Sequence, residues 1–407
     1  MTIEVRTLTI ADADEALVVE AAAFSSPIKP ADRDQTLLTT EWDRMIGAFD
    51  GSRMCGLVGD YRVDVTLPGL VTVPTAAVTA VGVLPTHRRR GVLSTLIARQ
   101  MDDIADRGES VAILTASEAT IYSRFGYGVA SSCVSIEVQR DRSAFLAPVG
   151  PGLPLRMLTR DEATELAPGW FDAARRARPG EISRPDTWWP VIFGEHETWK
   201  GGGDQFVVAC EPDDSRPGGY ATYRVTRDES TGASSLVVRD LIAADPDVAA
   251  VLWRFVLDVD LVDVIRAEVA VDEPLRWRLA DWRALSVVGD RDFLWARVLD
   301  PVGALAARRY GVDDELVVAV DDPFRSANSG SYRVAGGPAG AEVDRTSAPA
   351  DLVMGISELG SLYLGGSAPT RLARAGRIEG RSPEVLTRAD RFFASPEGLQ
   401  AHCSTGF

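Results

Sequence analysis

Residues 79–97 read TAVGVLPTHRRRGVLSTLI. An apolar strand pattern runs into Pro85, then Arg88, Arg89, Arg90 and Gly91 follow, and apolar residues recur at helical spacing. A helix start leaves several backbone N–H groups without partners and carries a partial positive charge, so it attracts anions. Gly91 lets the backbone come close to a ligand. The arginines add charge and paired donors. The arrangement suits a pyrophosphate. It is neither the GxxxxGK phosphate loop nor the GxGxxG turn. The competing reading is a solvated arginine cluster at the head of an ordinary helix.

Working outward, 407 residues exceed one ordinary core and suggest two to four domains. With 45% hydrophobic and 25% charged residues, a mostly disordered or fibrous chain is excluded. The net charge of −16 argues against a general nucleic-acid binder, which needs a basic face. Only Lys29 and Lys200 are lysines among the 43 basic residues. Cys55, Cys133, Cys210 and Cys403 are scattered and form no CxxC, so reduced, buried thiols and a cytoplasmic setting are expected. The N-terminal residues carry acids where a signal peptide needs bases, and no apolar run reaches the ~20 residues of a membrane helix. No membrane partner is expected. His87, His196 and His402 have no metal-ligand spacing, so no metal is expected.

The chain shows three textures. In the first, strands are expected at 2–10, 54–68, 75–85 and 111–116, and helices at 11–24, 32–49, 91–108 and 118–128. A Pro/Gly cluster at 147–154 reads as a linker. The pattern then restarts: helices at 161–177, 186–199 and 246–258, strands at 205–210, 218–226, 234–243, 263–271 and 291–299. The order of elements suggests a diverged duplication. After Asp300 come a helix, a strand, a Gly/Ser/Arg-rich stretch at 326–347, an apolar helix pair or helix-turn at 350–366 and a capped helix at 382–395.

The run VGVLPTHRRRGV resembles the acyl-CoA-binding motif of the GNAT N-acetyltransferase superfamily. The resemblance implies a strand that splays from its neighbour. Val81, Gly82 and Val83 would lie along the pantetheine arm of acetyl-CoA, with Arg89, Arg90, Gly91, Val92, Leu93 and Ser94 around its phosphates. The family usually has Gly or Ala where Leu93 stands. PTHRRRG (85–91), SEATIYSRFGYG (117–128), LGSLYLGG (359–366) and a final Phe407 together resemble the Eis acetyltransferases over essentially the whole chain. That implies a mixed α/β (α+β) chain of two tandem GNAT-like domains followed by a sterol-carrier-like domain. The boundaries expected are 1–148 for the catalytic domain, 149–299 for a degenerate copy and 300–407 for the third, whose tail enters the active site. It also implies a homohexamer.

Acetyl transfer needs a neutral amine, a polarised thioester and a proton for the leaving thiolate. An amine of pKa about 10 needs a base at neutral pH. Many acetyltransferases carry a Glu on the strand before the loop, but residues 75–83 contain no carboxylate. By resemblance to Eis the base is the C-terminal carboxylate of Phe407; the plain alternative is a frayed chain end. Tyr122 and Tyr127 both compete for the acid role, and both could be core aromatics. Tyr122 aligns with the family's acid and is chosen. A backbone N–H near Val83 would polarise the thioester oxygen. Ser117 and Glu118 would contact the pantetheine end. His87 reads as a loop residue, and His402 either lines the site or packs the tail. Cys403 is disfavoured as a ping-pong thiol, because direct attack in a ternary complex already supplies every role.

In the second repeat the corresponding strand, 235–243, runs into Ala244, Asp245 and Pro246 with no arginine-glycine loop. An Asp there repels a pyrophosphate, so this repeat is expected to bind no cofactor. The resemblance points to acetylation of polycationic small molecules such as aminoglycosides. Ser26, Ala80 and Gly406 replace two acids and an aromatic of better-studied relatives, which bears on that substrate class. The alternatives are a peptide lysine acetyltransferase and a non-catalytic acyl-CoA or lipid-binding protein.

Overall fold

The computed structural model describes residues 3–26, 29–149, 152–194, 204–212, 216–228 and 230–407. His196, Lys200, the end of the helix expected at 186–199 and the centre of the 147–154 linker lie outside them. The chain forms two compact units, one of residues 1–131, 293–398 and 406–407, the other of 132–292 and 399–405.

In the first unit, β1 (Ile3–Thr7), β2 (Ile46–Asp50), β3 (Arg53–Thr66), β4 (Thr72–Val83) and β5 (Val111–Thr115) lie side by side. The sheet continues through Leu294–Val298 to β6 (Gly128–Val129). The β4–β5 pair is parallel and the others are antiparallel. Helices α1 (Ala13–Phe24), α2 (Pro30–Thr39) and α3 (Val92–Asp106) accompany it. Val92, Leu96, Ile97, Met101 and Ile104 form the buried face of α3. They cluster with Val58, Ala76, Val78, Ala112 and Leu114 of the sheet. Each such burial contributes about 1.5–3 kcal/mol. The helix expected at 32–49 is corrected: it ends at Thr39, and Ile46–Asp50 is a nearly fully buried strand. A continuous apolar segment of this length does not by itself distinguish strand from helix.

The second unit repeats this sheet. Its order is Leu155–Leu158, Gln205–Cys210, Gly219–Arg227, Ser234–Ala243, Val264–Ala270, Ser132–Gln139 and Leu285–Asp292. The orientations match as well, with a single parallel pair between the fourth and fifth strands. The duplication is therefore present in the strand order. The sixth position is exchanged: Ser132–Gln139 serves the second sheet and Leu294–Val298 the first. Sequence order alone assigns each of these strands to the other sheet.

A third, five-stranded sheet (Gly340–Thr346, Gly330–Gly337, Asp314–Asp321, Leu352–Gly355, Ile378–Gly380) belongs to the first unit. Leu352–Gly355 is a strand, which corrects the helix pair or helix-turn expected at 350–366; only Ile356–Tyr363 is helical there. That helix packs on Leu294–Val298 and β6. A Cβ on Gly128 would sit 1.7 Å from the Ser357 carbonyl oxygen, and one on Gly360 would sit 2.3 Å from that of Ala296. Gly128 of the FGYG motif and Gly360 of LGSLYLGG thus serve close backbone packing. Arg297 and Asp322, both fully buried, pair at 2.7 Å in the same unit.

Candidate active site

Between Val78 and Val83 the sheet opens. β4 pairs with β5 only at Ala76, Ala77 and Val78. On its other side the register with β3 shifts: Gly59 faces Thr79 while Leu57 faces Gly82. β4 therefore holds one extra residue, and Ala80 takes φ +52°. A bulge of this kind bends its strand and sharpens the twist, which turns Val81–Val83 away from β5. The splay expected from the resemblance is present. The bulge left no mark in the sequence, because alanine is not a residue that announces a left-handed backbone.

Past Pro85 the loop turns twice through left-handed backbone, at Arg89 (φ +63°) and Gly91 (φ +82°). A Cβ on Gly91 would meet nothing within 4 Å, so conformation rather than space requires the glycine. Arg89 has no such freedom and bears about 1–2 kcal/mol of strain. Gly91 caps α3 without any side-chain bond, and no acid lies in the first turn. The first intrahelical bond here is Thr95 N–H to Gly91 O at 3.0 Å. That leaves the N–H groups of Val92, Leu93 and Ser94 without helical partners. Arg88, Arg89, Arg90 and Ser94 are exposed, Val92 is buried and Leu93 is half-buried. None of the three arginines makes a hydrogen bond or ion pair among the described residues. Unspent donors of both kinds at one exposed turn fit a diphosphate. His87 Nε2 instead lies 3.3 Å from Asp50 Oδ2.

The second unit supplies the contrast. At the head of helix Pro246–Asp258, Asp245 accepts from Asp247 N–H at 2.8 Å and Val248 N–H at 3.2 Å. The donors that are free in α3 are consumed here, and a negative charge sits among them.

Beyond β5 the chain turns through exposed Ser117 and Glu118 into the short helix α4 (Ala119–Tyr122). Tyr122 is 5% exposed, and its ring meets that of Tyr127 edge-on at 6.0 Å. Burial raises the Tyr122 phenol above its usual range, against a hydrogen bond from the Ser117 side chain. It is therefore protonated at neutral pH. Tyr127 is fully buried and its hydroxyl has no partner among the described residues, so it is a core residue. Desolvation drives its phenol far upward.

The chain end is not frayed. Thr115 Oγ1, at the last residue of β5, donates to a terminal oxygen of Phe407 at 3.4 Å. The half-buried Phe407 thus lies in the first unit, next to the strand end where β4 and β5 part. Residues 399–405 belong to the other unit. There Ser404 N–H donates to Glu181 at 2.9 Å, and Arg184 Nε donates to Thr405 Oγ1 at 2.8 Å. Cys403 is fully buried, and burial holds its thiol well above its usual value, which disfavours a nucleophilic thiolate. Thr115 and the two tail anchors were missed by reading the sequence; no spacing signals a contact between residues 292 apart.

Three family models match. An acetyltransferase (GNAT) domain covers residues 4–130, a second acetyltransferase (GNAT) domain covers 180–298, and a sterol carrier protein domain covers 301–400. The N-acetyltransferase Eis of Mycobacterium tuberculosis is 32% identical over 391 residues, 94% of each chain. The chain belongs to the Eis family of GNAT N-acetyltransferases. An uncharacterized N-acetyltransferase of Streptomyces avermitilis is 36% identical over 89% of this chain and 88% of its own. The crystal structure of Eis1 from Mycobacterium abscessus superposes with a TM-score of 0.88 at 36% identity, over 99% of this chain and 100% of that one.

This Eis-family chain is thus an acetyltransferase enzyme, with two GNAT domains and a sterol-carrier-like domain. GNAT acetyltransferases draw the acetyl group from acetyl-CoA and transfer it to amines. Among the described residues, no group of three or more His, Cys, Asp or Glu side chains could hold a metal, and no helix is long and apolar enough to cross a membrane.

Proposed function

We propose that this Eis-family enzyme transfers acetyl from acetyl-CoA to primary amines of polycationic small molecules, aminoglycosides among them, by direct attack in a ternary complex. Val81, Gly82 and Val83 line the pantetheine arm with free backbone groups. The amides of Val92, Leu93 and Ser94 with Arg89, Arg90 and Gly91 hold the diphosphate. Ser117 and Glu118 flank the thioester end. The Phe407 carboxylate takes the ammonium proton directly or through water. Tyr122 donates its phenolic proton to the departing thiolate. A backbone N–H near Val83 steadies the oxyanion.

One observation carries this reading: the terminal oxygen of Phe407 at 3.4 Å from Thr115 Oγ1, on a strand end beside the splay. The test is thiol release from acetyl-CoA against a panel of aminoglycosides, polyamines and lysine peptides. Turnover with the first two supports the proposal. A second reading is acetylation of peptide lysines: Ser26 and Gly406 are exposed and without charge, where the resemblance to Eis implies acids; turnover with peptides alone would select it. Cofactor binding without turnover of any amine would leave an acyl-CoA or lipid-binding protein. The proposal includes a homohexamer, checked by light scattering, and a cytoplasmic location, which four free, buried cysteines support.

A further inference from the structure

The second unit contains a buried charged group that the chemistry above does not use. Arg184 forks onto Asp240, with Nη1 to Oδ2 at 2.7 Å and Nη2 to Oδ1 at 3.1 Å. Tyr220 Oη also donates to Asp240, at 3.2 Å. The guanidinium lies over Phe171 at 4.0 Å and Trp189 at 5.4 Å. Its remaining edge faces the tail: Nε donates to Thr405 Oγ1 at 2.8 Å and Nη2 reaches Ser404 Oγ at 3.5 Å. Glu181 accepts from Ser404 N–H at 2.9 Å and from its hydroxyl at 3.3 Å. His402 N–H donates to Pro179 O at 2.9 Å.

We infer that Glu181 and Arg184 are positioning residues for acetyl transfer, clamping Ser404 and Thr405 so that the chain's last carboxylate is held in one place. A buried ion pair is a poor way to add stability, since well-packed apolar residues usually do as well or better. What it adds is direction. Fixed donors and acceptors set the tail's register, which an apolar anchor leaves free to slide. Two residues follow Thr405, a leash of about 7 Å at full extension. Holding Thr405 by its side chain and Ser404 by its backbone therefore confines Phe407 to a small volume, whereas a chain end otherwise frays. This inference rests on the reading of the Phe407 carboxylate as the base.

The test uses the full-length protein with Thr405→Val, Glu181→Gln and the conservative Thr405→Ser. Two quantities are measured: the rate at which carboxypeptidase A removes Phe407, and kcat with KM for acetyl-CoA. Melting temperature confirms that each variant is folded. Losing one bond to a charged partner should speed trimming and lower kcat by about tenfold or more in Thr405→Val. KM for acetyl-CoA should stay unchanged, and Thr405→Ser should restore both rates. Unchanged trimming and kcat in both Thr405→Val and Glu181→Gln would overturn the clamp. Faster trimming with unchanged kcat would also overturn it as a device for catalysis, and would show that the base assignment, not the anchoring, had failed.

Discussion

Thr115 Oγ1 and the terminal oxygen of Phe407 lie 3.4 Å apart, joining the end of a central strand to the end of the chain. The bond is long, so its direct worth is at the low end of about 0.5–1.5 kcal/mol. Its interest is the place it marks. Thr115→Val should lower kcat a few-fold through a less well-held carboxylate. A short peptide tag after Phe407 removes the carboxylate itself and should cost about 10²–10⁴ in kcat. Calorimetry should show acetyl-CoA binding intact in both. Full activity in the tagged protein would end the base assignment.

The two tyrosines of the IYSRFGYG segment (121–128) separate cleanly by substitution to phenylalanine. Tyr122→Phe removes a proton donor and should lose about 10²–10⁴ in kcat while retaining acetyl-CoA affinity. Because burial raises its phenol, the alkaline limb of the wild-type rate profile should lie above pH 10. Tyr127→Phe removes a buried hydroxyl that has no partner among the described residues. It should be neutral or stabilise the fold by about 1 kcal/mol, with activity unchanged. A dead Tyr127→Phe enzyme beside an active Tyr122→Phe enzyme would reverse the roles.

What the sequence made legible follows from how local each signal is. The strand, arginine-glycine turn and helix of 79–97 are local, and the structure has them with boundaries moved by one to three residues. Gln205–Cys210, Ser234–Ala243 and Pro246–Asp258 match their expected ranges. The exchange of Ser132–Gln139 and Leu294–Val298 is not local: a strand's own residues do not name the sheet that it joins. The bulge at Ala80 and the left-handed Arg89 escaped for another reason. Surrounding structure forces these residues into a backbone that their own side chains disfavour. For the site, the chemistry-bearing residue types were readable, while Thr115, Glu181 and Arg184 acquire meaning only from contacts made across the chain.

At the phosphate turn, Arg89→Ala should raise KM for acetyl-CoA about tenfold or more and leave kcat near wild type, since the loss is one charge-assisted contact far from the reacting atoms. Gly91→Ala acts differently. It forces an L-residue to φ +82° at the head of α3, costing about 1–2 kcal/mol. It should lower melting temperature as well as acetyl-CoA affinity. A titration of acetyl-CoA into each variant, read beside its melting curve, tells the two effects apart. Wild-type affinity in both would remove the anion site.

Glu181 gives the fold a pH dependence whose sign can be worked out. Burial lifts its carboxyl to about 7, against the Ser404 N–H and Arg184, which favour the charged form. The unfolded chain releases that proton near 4.5. Between those values the folded state holds more proton than the unfolded one, so stability falls as pH rises. The contribution is full below about pH 4.5 and gone above about 7, a few kcal/mol in size. Other groups titrate over the same range, so the measurement is a difference: melting temperature of wild type minus that of Glu181→Gln, from pH 5 to pH 8. That difference should decline steadily with rising pH. A flat difference would mean that the carboxylate is already ionised at pH 5, with Ser404 and Arg184 compensating its burial in full.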